Sequence, residues 1–240
     1  MENTIKRQEM LNRRAKDVQD EKIVGAYLDK HFYPEFCTTW NRNESDLQAQ
    51  YRGEDITVTT NTGVKYVIDE KAATQYVGKN LQTFIQELSN INKAGNLQVG
   101  TYLNSNNTND SYVYVWIDEG VTDDSGYHLL KREDGADVIT DMTVILITKQ
   151  ELKNYVATLG WDDRKLWNKQ RAIREAYAKY GWEYYKYENT GDLDTNGCRF
   201  HLGYKFWECS CNLLLPRKEL IKHATIAYRI KNQKIINLKS

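Results

Sequence analysis

The stretch that most constrains the fold is residues 53–89, GEDITVTTNTGVKYVIDEKAATQYVGKNLQTFIQELS. Two runs rich in β-branched and aromatic residues, 55–59 and 64–71, flank an Asn-Thr-Gly sequence at 61–63 that is typical of a turn. A third alternating run follows at 83–89. This stretch therefore predicts a β-hairpin followed by another strand, which requires a sheet at the centre of the protein.

Charged residues stand at the end of this predicted hairpin. Asp69, Glu70 and Lys71 directly follow two apolar residues, and Asp55 begins the paired strand. Because side chains alternate along a strand, Asp69 and Lys71 point to one face and Glu70 to the other. Unpaired charges are costly at the end of a buried strand, so the pattern favours a site over a solvated surface. Carboxylates are also the oxygen ligands that Mg²⁺ prefers.

An aspartate at the start of one strand, followed by Asp69-Glu70-Lys71 on the next, resembles the PD-(D/E)XK nuclease superfamily. The proline of the family's name is absent here. The resemblance extends over roughly residues 20–117 and depends on the three motif residues in their strand context.

The resemblance implies a restriction-endonuclease-like core and a site that cleaves phosphodiester bonds with Mg²⁺, for which Mn²⁺ can substitute. The implied catalytic residues are Asp55, Asp69, Glu70, Lys71 and Glu87. Asp55, Asp69 and Glu87 are the implied metal ligands, with Glu70 as an alternative or supporting acid. Lys71 would position the attacking water, and Gln75 matches a glutamine that some relatives place near the site.

Basic residues concentrate on a predicted helix at residues 162–180. The candidates for nucleic-acid binding are Gln75 and the helix residues Lys165, Lys169, Arg171 and Arg174. Such a helix can follow a phosphate backbone, or it can simply be a solvated face. The same alternatives hold for the charged residues 1–20, predicted to form a helix or arm.

Composition limits the class of protein. The chain has 33 Lys plus Arg and 33 Asp plus Glu, so net charge does not indicate a nucleic-acid binder. No apolar run approaches about 18 residues, which predicts a protein without a membrane span. No signal peptide is recognisable, and the predicted location is the cytoplasm. The four cysteines do not form a disulfide pattern. Whether Cys198, His201, Cys209 and Cys211 bind zinc stays open.

We expect one α/β domain at 21–240, with a mixed central sheet flanked by helices and with C-terminal additions. Residues 143–148 predict a central strand, after which Thr148 and Glu151 have the spacing of a helix capping box. The additions are a helix at 217–230 and a hairpin within the aromatic-rich stretch 181–207. Residues 36–50 are predicted as a loop, in which Glu44 and Asp46 are further acids near the site.

These features predict a Mg²⁺-dependent endonuclease acting on double-stranded DNA, such as a restriction enzyme or a phage-type nuclease. A homodimer is favoured because cutting both strands requires two sites. Two alternatives stay open: a protein that binds DNA or RNA without cutting it, and a protein-interaction or inhibitor protein of a mobile element. Walker, Rossmann, zinc-protease and serine-hydrolase motifs are absent from the sequence.

Overall fold

A computed structural model describes residues 2–43, 49, 52–92, 94–132, 137–189, 197–204 and 208–239. In these residues the helices are Glu2–His31 (α1), Lys149–Thr158 (α2), Asp163–Asn189 (α3) and Arg217–His223 (α4). The strands are Cys37–Arg42 (β1), Ile56–Thr60 (β2), Lys65–Ala72 (β3), Thr83–Ile91 (β4), Leu97–Val99 (β5), Ser111–Gly120 (β6), Ile139–Thr148 (β7), Arg199–Leu202 (β8), Cys211–Pro216 (β9), Ile226–Lys231 (β10) and Lys234–Asn237 (β11). The chain is an α/β protein, as predicted.

The strands form two sheets. The larger has the order β1-β2-β3-β6-β7-β10-β11, and the smaller has the order β5-β4-β9-β8. In the larger sheet β3 and β6 are parallel, whereas the other neighbouring strands are antiparallel. The large sheet is therefore mixed, and the predicted hairpin is present as β2 and β3.

A hydrophobic core lies on each face of the large sheet, because successive residues of its strands point to opposite faces. On β6, Val113 and Val115 belong to the first core, which they share with Leu28 of α1. Tyr112 and Tyr114 belong to the second core, formed with strands β4 and β9 and with helices α2 to α4. The second core thus joins the large sheet to the small one.

The predicted helix start after β7 is confirmed. The Thr148 side chain accepts a hydrogen bond from the Glu151 backbone N–H at 3.1 Å, and the Glu151 carboxylate accepts one from the Thr148 backbone N–H at 3.3 Å. This reciprocal pair satisfies two backbone donors that the first turn of a helix would otherwise leave free. The local sequence was sufficient for this prediction.

The prediction of a helix at 217–230 is wrong beyond its first half. Helix α4 ends at His223, and β10 and β11 follow as a hairpin whose two-residue turn has Asn232 and Gln233 at φ 47° and 64°. Two consecutive positive φ angles are typical of the turn that matches strand twist. Strand β10 pairs with β7, whose backbone groups on that side would otherwise lack partners.

Two further predictions are corrected. The loop predicted at 36–50 contains strand β1, which pairs with β2; Glu44 and Asp46 lie outside the described residues. The start of the predicted aromatic hairpin instead continues α3 to Asn189, past a break at Gly181 with φ 73°. Strand β8 then pairs with β9.

Helix α1 also crosses the boundary predicted at residue 20, because it runs unbroken from Glu2 to His31. The buried Asp20 carboxylate on this helix accepts a hydrogen bond from the Leu129 backbone N–H at 2.9 Å. Within the described residues, no helix combines the length and the apolar character needed to cross a membrane.

Candidate active site

The predicted motif lies on β3, on the face of the large sheet that carries the second core. Ile68 points into the first core, so the alternation along the strand directs Asp69 and Lys71 to the opposite face. There the Lys71 Nζ lies 3.0 Å from the Asp69 Oδ1. Asp69 is 4% exposed, whereas the Lys71 side chain is 26% exposed. Lys71 is therefore the more exposed residue of this pair.

Asp55 joins the pair from the start of β2. Its backbone N–H donates to the Ile68 carbonyl at 3.0 Å, and its Oδ2 accepts from the Glu70 backbone N–H at 2.9 Å. Burial raises the pKa of the Asp55 carboxyl to about 7, and the neighbouring charge of Asp69 acts in the same direction. The convergence of Asp55, Asp69 and Lys71 follows from the pairing of two strands that are adjacent in sequence.

Lys71 is held in the charged state. Burial acts to lower the pKa of its ammonium, but the adjacent Asp69 carboxylate outweighs burial and the pKa of Lys71 lies above its ordinary value. Its Nζ is therefore a hydrogen-bond donor and a positive charge at neutral pH. It is not a proton acceptor in this arrangement.

One oxygen of the cluster has no internal partner. The Asp69 Oδ1 is paired with Lys71, whereas its Oδ2 is buried and has no hydrogen-bond partner among the described residues. A buried carboxylate oxygen left in this state is costly, and such atoms call for an explanation. A bound divalent cation would satisfy it, so the donor set fits Mg²⁺.

Glu87 approaches from the small sheet. It lies on β4, where its Oε1 accepts a hydrogen bond from the Asn90 side chain at 2.9 Å. Burial raises the pKa of Glu87, while the Asn90 hydrogen bond and the positive charge of Lys71 act against that rise. Lys71 therefore acts electrostatically on Glu87, and a role for Glu87 as a third carboxylate of the site stays a prediction.

Gly100 controls how the segment after β5 packs against the Glu87 backbone. Its N–H donates to the Leu88 carbonyl at 2.8 Å, and a Cβ at this position would lie 2.3 Å from the Glu87 carbonyl oxygen. We expect Gly100→Ala to lower the free energy of unfolding by roughly 1–3 kcal/mol, because the segment that contains Gly100 would have to move away from the Glu87 backbone. Thermal melting of the two proteins checks this; an unchanged Tm would contradict the packing.

The structure does not bring Glu70 to the cluster. Its carboxylate lies on the other face of β3, where Arg42 donates to it at 2.6 and 3.2 Å and the Tyr33 hydroxyl also donates. Arg42 in turn binds Asp29 of α1 at 2.8 Å. Glu70 therefore ties β3 to β1 and α1, and the prediction of a catalytic role for it is corrected to a structural one.

Gln75 is also directed away from the cluster. Its side-chain amide donates to the Asp17 carboxylate of α1 at 3.3 Å. The contact places it on the side of the large sheet that carries the first core. A residue four positions after Lys71 is not on a continued strand, because a 3-10 turn at Thr74–Tyr76 redirects the chain.

The four basic residues predicted on α3 make internal contacts. Arg174 donates to the Ser89 carbonyl of β4 at 3.0 Å and to its hydroxyl at 2.8 Å, and the Lys169 ammonium lies 5.6 Å from the centroid of the Phe200 ring. Lys165 donates to the Gly160 carbonyl at 2.8 Å, and Arg171 pairs with Glu175 at 3.6 Å. Arg174 is thus a packing residue near Glu87. Lys165, Lys169 and Arg171 are exposed, so binding of nucleic acid by this helix stays a prediction.

The possible zinc ligands do not converge. Cys198 is buried in the second core, whereas His201 is exposed on the other side of β8. Cys211 packs with Leu202 in a separate small cluster. Cys209 packs in the same small cluster as Cys211, whereas strand alternation directs His201 away from Leu202 and Cys211.

Another group was not predicted. Ligand atoms of Asp17, Asp20 and His128 lie within 4.8 Å of one another and could hold a metal ion. The His128 Nδ1 is 2.8 Å from Asp20, and Asp17 accepts from Gln75. The contact of His128 with Asp20, together with the hydrogen bond that the Leu129 N–H donates to Asp20, holds residues 128–129 against α1. Asp17 and Asp20 are three positions apart on α1, but His128 lies 108 positions after Asp20, so sequence spacing could not indicate the cluster.

Comparisons with protein-family models, with curated proteins and with solved structures yielded no match.

Proposed function

We propose that this protein is a Mg²⁺-dependent endonuclease that hydrolyses phosphodiester bonds of double-stranded DNA at the cluster of Asp55, Asp69 and Lys71. One observation carries the proposal: the buried Asp69 carboxylate has one oxygen on Lys71 and the other without a hydrogen-bond partner among the described residues. The neighbouring Asp55 supplies the second carboxylate that a divalent cation needs. The motif residues are those that the resemblance to PD-(D/E)XK nucleases singled out.

The carboxylates and the lysine have separate roles in this proposal. Asp55 and Asp69 would hold the cation, with Glu87 as a third carboxylate from the small sheet. When bound, the cation would supply Lewis-acid stabilisation of the charge that develops at phosphorus. Lys71, charged and partly exposed, donates hydrogen bonds that orient a water molecule or a phosphate oxygen. The carboxylates would position the cation, and Lys71 would position the water molecule or the phosphate oxygen, so that the attacking water and the phosphodiester are aligned.

A plasmid assay tests the proposal. Purified protein is incubated with supercoiled plasmid DNA in Mg²⁺, in Mn²⁺, and in EDTA, and the topological forms are separated on a gel. Nicked or linear DNA in both metals and intact DNA in EDTA is the expected result. Salt-dependent binding without cleavage would instead identify a non-catalytic nucleic-acid-binding protein. Neither binding nor cleavage would favour an interaction protein. The same assay with an RNA duplex distinguishes DNA from RNA as the substrate. Light scattering measures whether the protein is a homodimer.

Cleavage should depend on pH through Asp55. At a sub-saturating Mg²⁺ concentration we expect kcat/KM to rise about tenfold per pH unit below pH 7 and to level off above it. The reason is that burial and the charge of Asp69 raise the pKa of Asp55 to about 7, and only its ionised form is a good ligand. A profile that is flat from about pH 5.5 to 8 would contradict this assignment.

A further inference from the structure

A second lysine reaches the same edge of the large sheet. Lys149 is the first residue of α2, directly after β7, and its backbone N–H donates to the Asp110 carbonyl at 2.7 Å. Thr148 pairs with Ser111 at the start of β6, and the next residue, Tyr112, pairs with Asp69 of β3. The sheet register therefore places Lys149 close to the carboxylate cluster, although 80 residues separate it from Asp69 in sequence.

A buried amide contacts the ammonium group of this lysine. The Lys149 Nζ lies 3.5 Å from the Oδ1 of Asn109, whose amide donates to the Ser111 carbonyl at 3.2 Å. Asn109 is 3% exposed and packs against Gly53, where a Cβ would lie 3.4 Å from its Oδ1. Gly53 lies two residues before Asp55. Asn109 thus links the turn that carries Asp55 to the ammonium group of Lys149.

The charge of Lys149 is not compensated by an ion pair. In the part of the chain that the structure describes, no carboxylate oxygen lies within 4.0 Å of its Nζ. The two comparable lysines are paired: Lys71 with Asp69 at 3.0 Å and Lys153 with Asp163 at 2.6 Å. Burial lowers the pKa of Lys149, as does the charge of Lys153, while Asp69 acts in the opposite direction. A half-buried cation without a carboxylate partner is unfavourable, and an anionic ligand would relieve that cost.

We propose that Lys149 binds a backbone phosphate of the substrate, next to the phosphodiester that Asp55, Asp69 and Lys71 act on. This assignment deepens the proposed nuclease function and identifies the ligand of the site as a nucleic-acid backbone. Three carboxylates would repel a polyanion, so the site needs cations that are not already neutralised. Lys149 supplies one at this edge of the sheet, because no carboxylate oxygen of the described residues lies within 4.0 Å of its Nζ.

Binding and cleavage are measured separately to test this. Fluorescence anisotropy with a labelled DNA duplex in EDTA gives the affinity as a function of salt, and cleavage in Mg²⁺ gives kcat and KM. Lys149→Gln is expected to weaken binding about tenfold at low salt and to reduce the salt slope by about 0.9, the value for one phosphate contact. Lys149→Arg should retain most of the affinity. Lys153→Gln, one helical turn further along, is the matched control and should bind like the wild type.

The outcomes separate this assignment from the nuclease function. If the wild type binds without cutting and Lys149→Gln binds more weakly, the phosphate contact stands and the nuclease function fails. If the wild type cuts and Lys149→Gln keeps its affinity and salt slope, the contact is refuted and the nuclease function stands. Equal losses in Lys149→Gln and Lys153→Gln, or a wild type that does not bind DNA, would also refute the contact.

Discussion

Asp69→Asn is expected to reduce Mg²⁺-dependent cleavage by about 10³-fold or more, with the fold retained. Loss of a metal-binding carboxylate removes several kcal/mol of transition-state stabilisation, and about 4 kcal/mol corresponds to 10³-fold. Asparagine has nearly the same shape, and its amide can still lie beside Lys71. Lys71→Met should show a loss of similar size, because the charge that orients the water or phosphate is removed. Initial rates of plasmid cleavage, with circular dichroism for the fold, measure both effects.

Glu70→Gln is the matched control, because it is the same kind of change in the adjacent residue on the opposite face of β3. Its carboxylate binds Arg42 and Tyr33, so we expect cleavage within a few-fold of the wild type. The cost should appear instead in stability, at roughly 1–3 kcal/mol for a weakened buried hydrogen-bonded ion pair. Loss of cleavage in Glu70→Gln together with full activity in Asp69→Asn would reverse the assignment of the two faces.

Asp55→Asn is expected to abolish cleavage and yet to stabilise the metal-free protein at about pH 8. Because burial and Asp69 raise the folded-state pKa of Asp55 to about 7, the folded protein holds this proton more tightly than the unfolded chain. Stability from this group is therefore present at low pH and is lost as pH rises from about 4 to 7. Asparagine cannot ionise, so the gain at pH 8 should be at most roughly 4 kcal/mol, because each of the about three pKa units corresponds to about 1.4 kcal/mol. Urea unfolding at about pH 5 and 8 measures it.

Mg²⁺ should stabilise the wild type but not Asp55→Asn. A cation that binds only the folded state raises Tm, and we expect this rise in the wild type at about pH 8 but not in Asp55→Asn. The rise should shrink below pH 7, where a proton occupies Asp55. Glu119→Gln, a change in an exposed carboxylate on β6, serves as the control and should respond to Mg²⁺ like the wild type. A stabilising effect of Mg²⁺ in Asp55→Asn would place the cation elsewhere.

Local pattern was sufficient for the part of the site that lies on adjacent strands. The β2–β3 hairpin and the capping box at Thr148 both depend on residues a few positions apart, where turn residues, alternation and helix-end hydrogen bonds act directly. Alternation also separated Asp69 and Lys71 from Glu70 correctly. What it could not reveal was the partner of Glu70, because Arg42 belongs to a strand that had been predicted as a loop.

Contacts between distant segments were decided by the tertiary structure. Lys149 comes close to Asp69 through the order of β3, β6 and β7, and the small sheet brings Glu87 within electrostatic influence of Lys71. The basic residues of α3 resemble a binding face in sequence, yet Arg174 packs on β4.

The sequence by itself therefore determined the α/β class, the hairpin and the pair Asp69–Lys71, since these follow from the short-range periodicity of the backbone. The third carboxylate, the unpaired lysine and the C-terminal hairpin depended on which strand edges and apolar faces meet. That choice is made by burial and backbone hydrogen bonding over the whole chain, and it leaves no local pattern from which it could have been predicted.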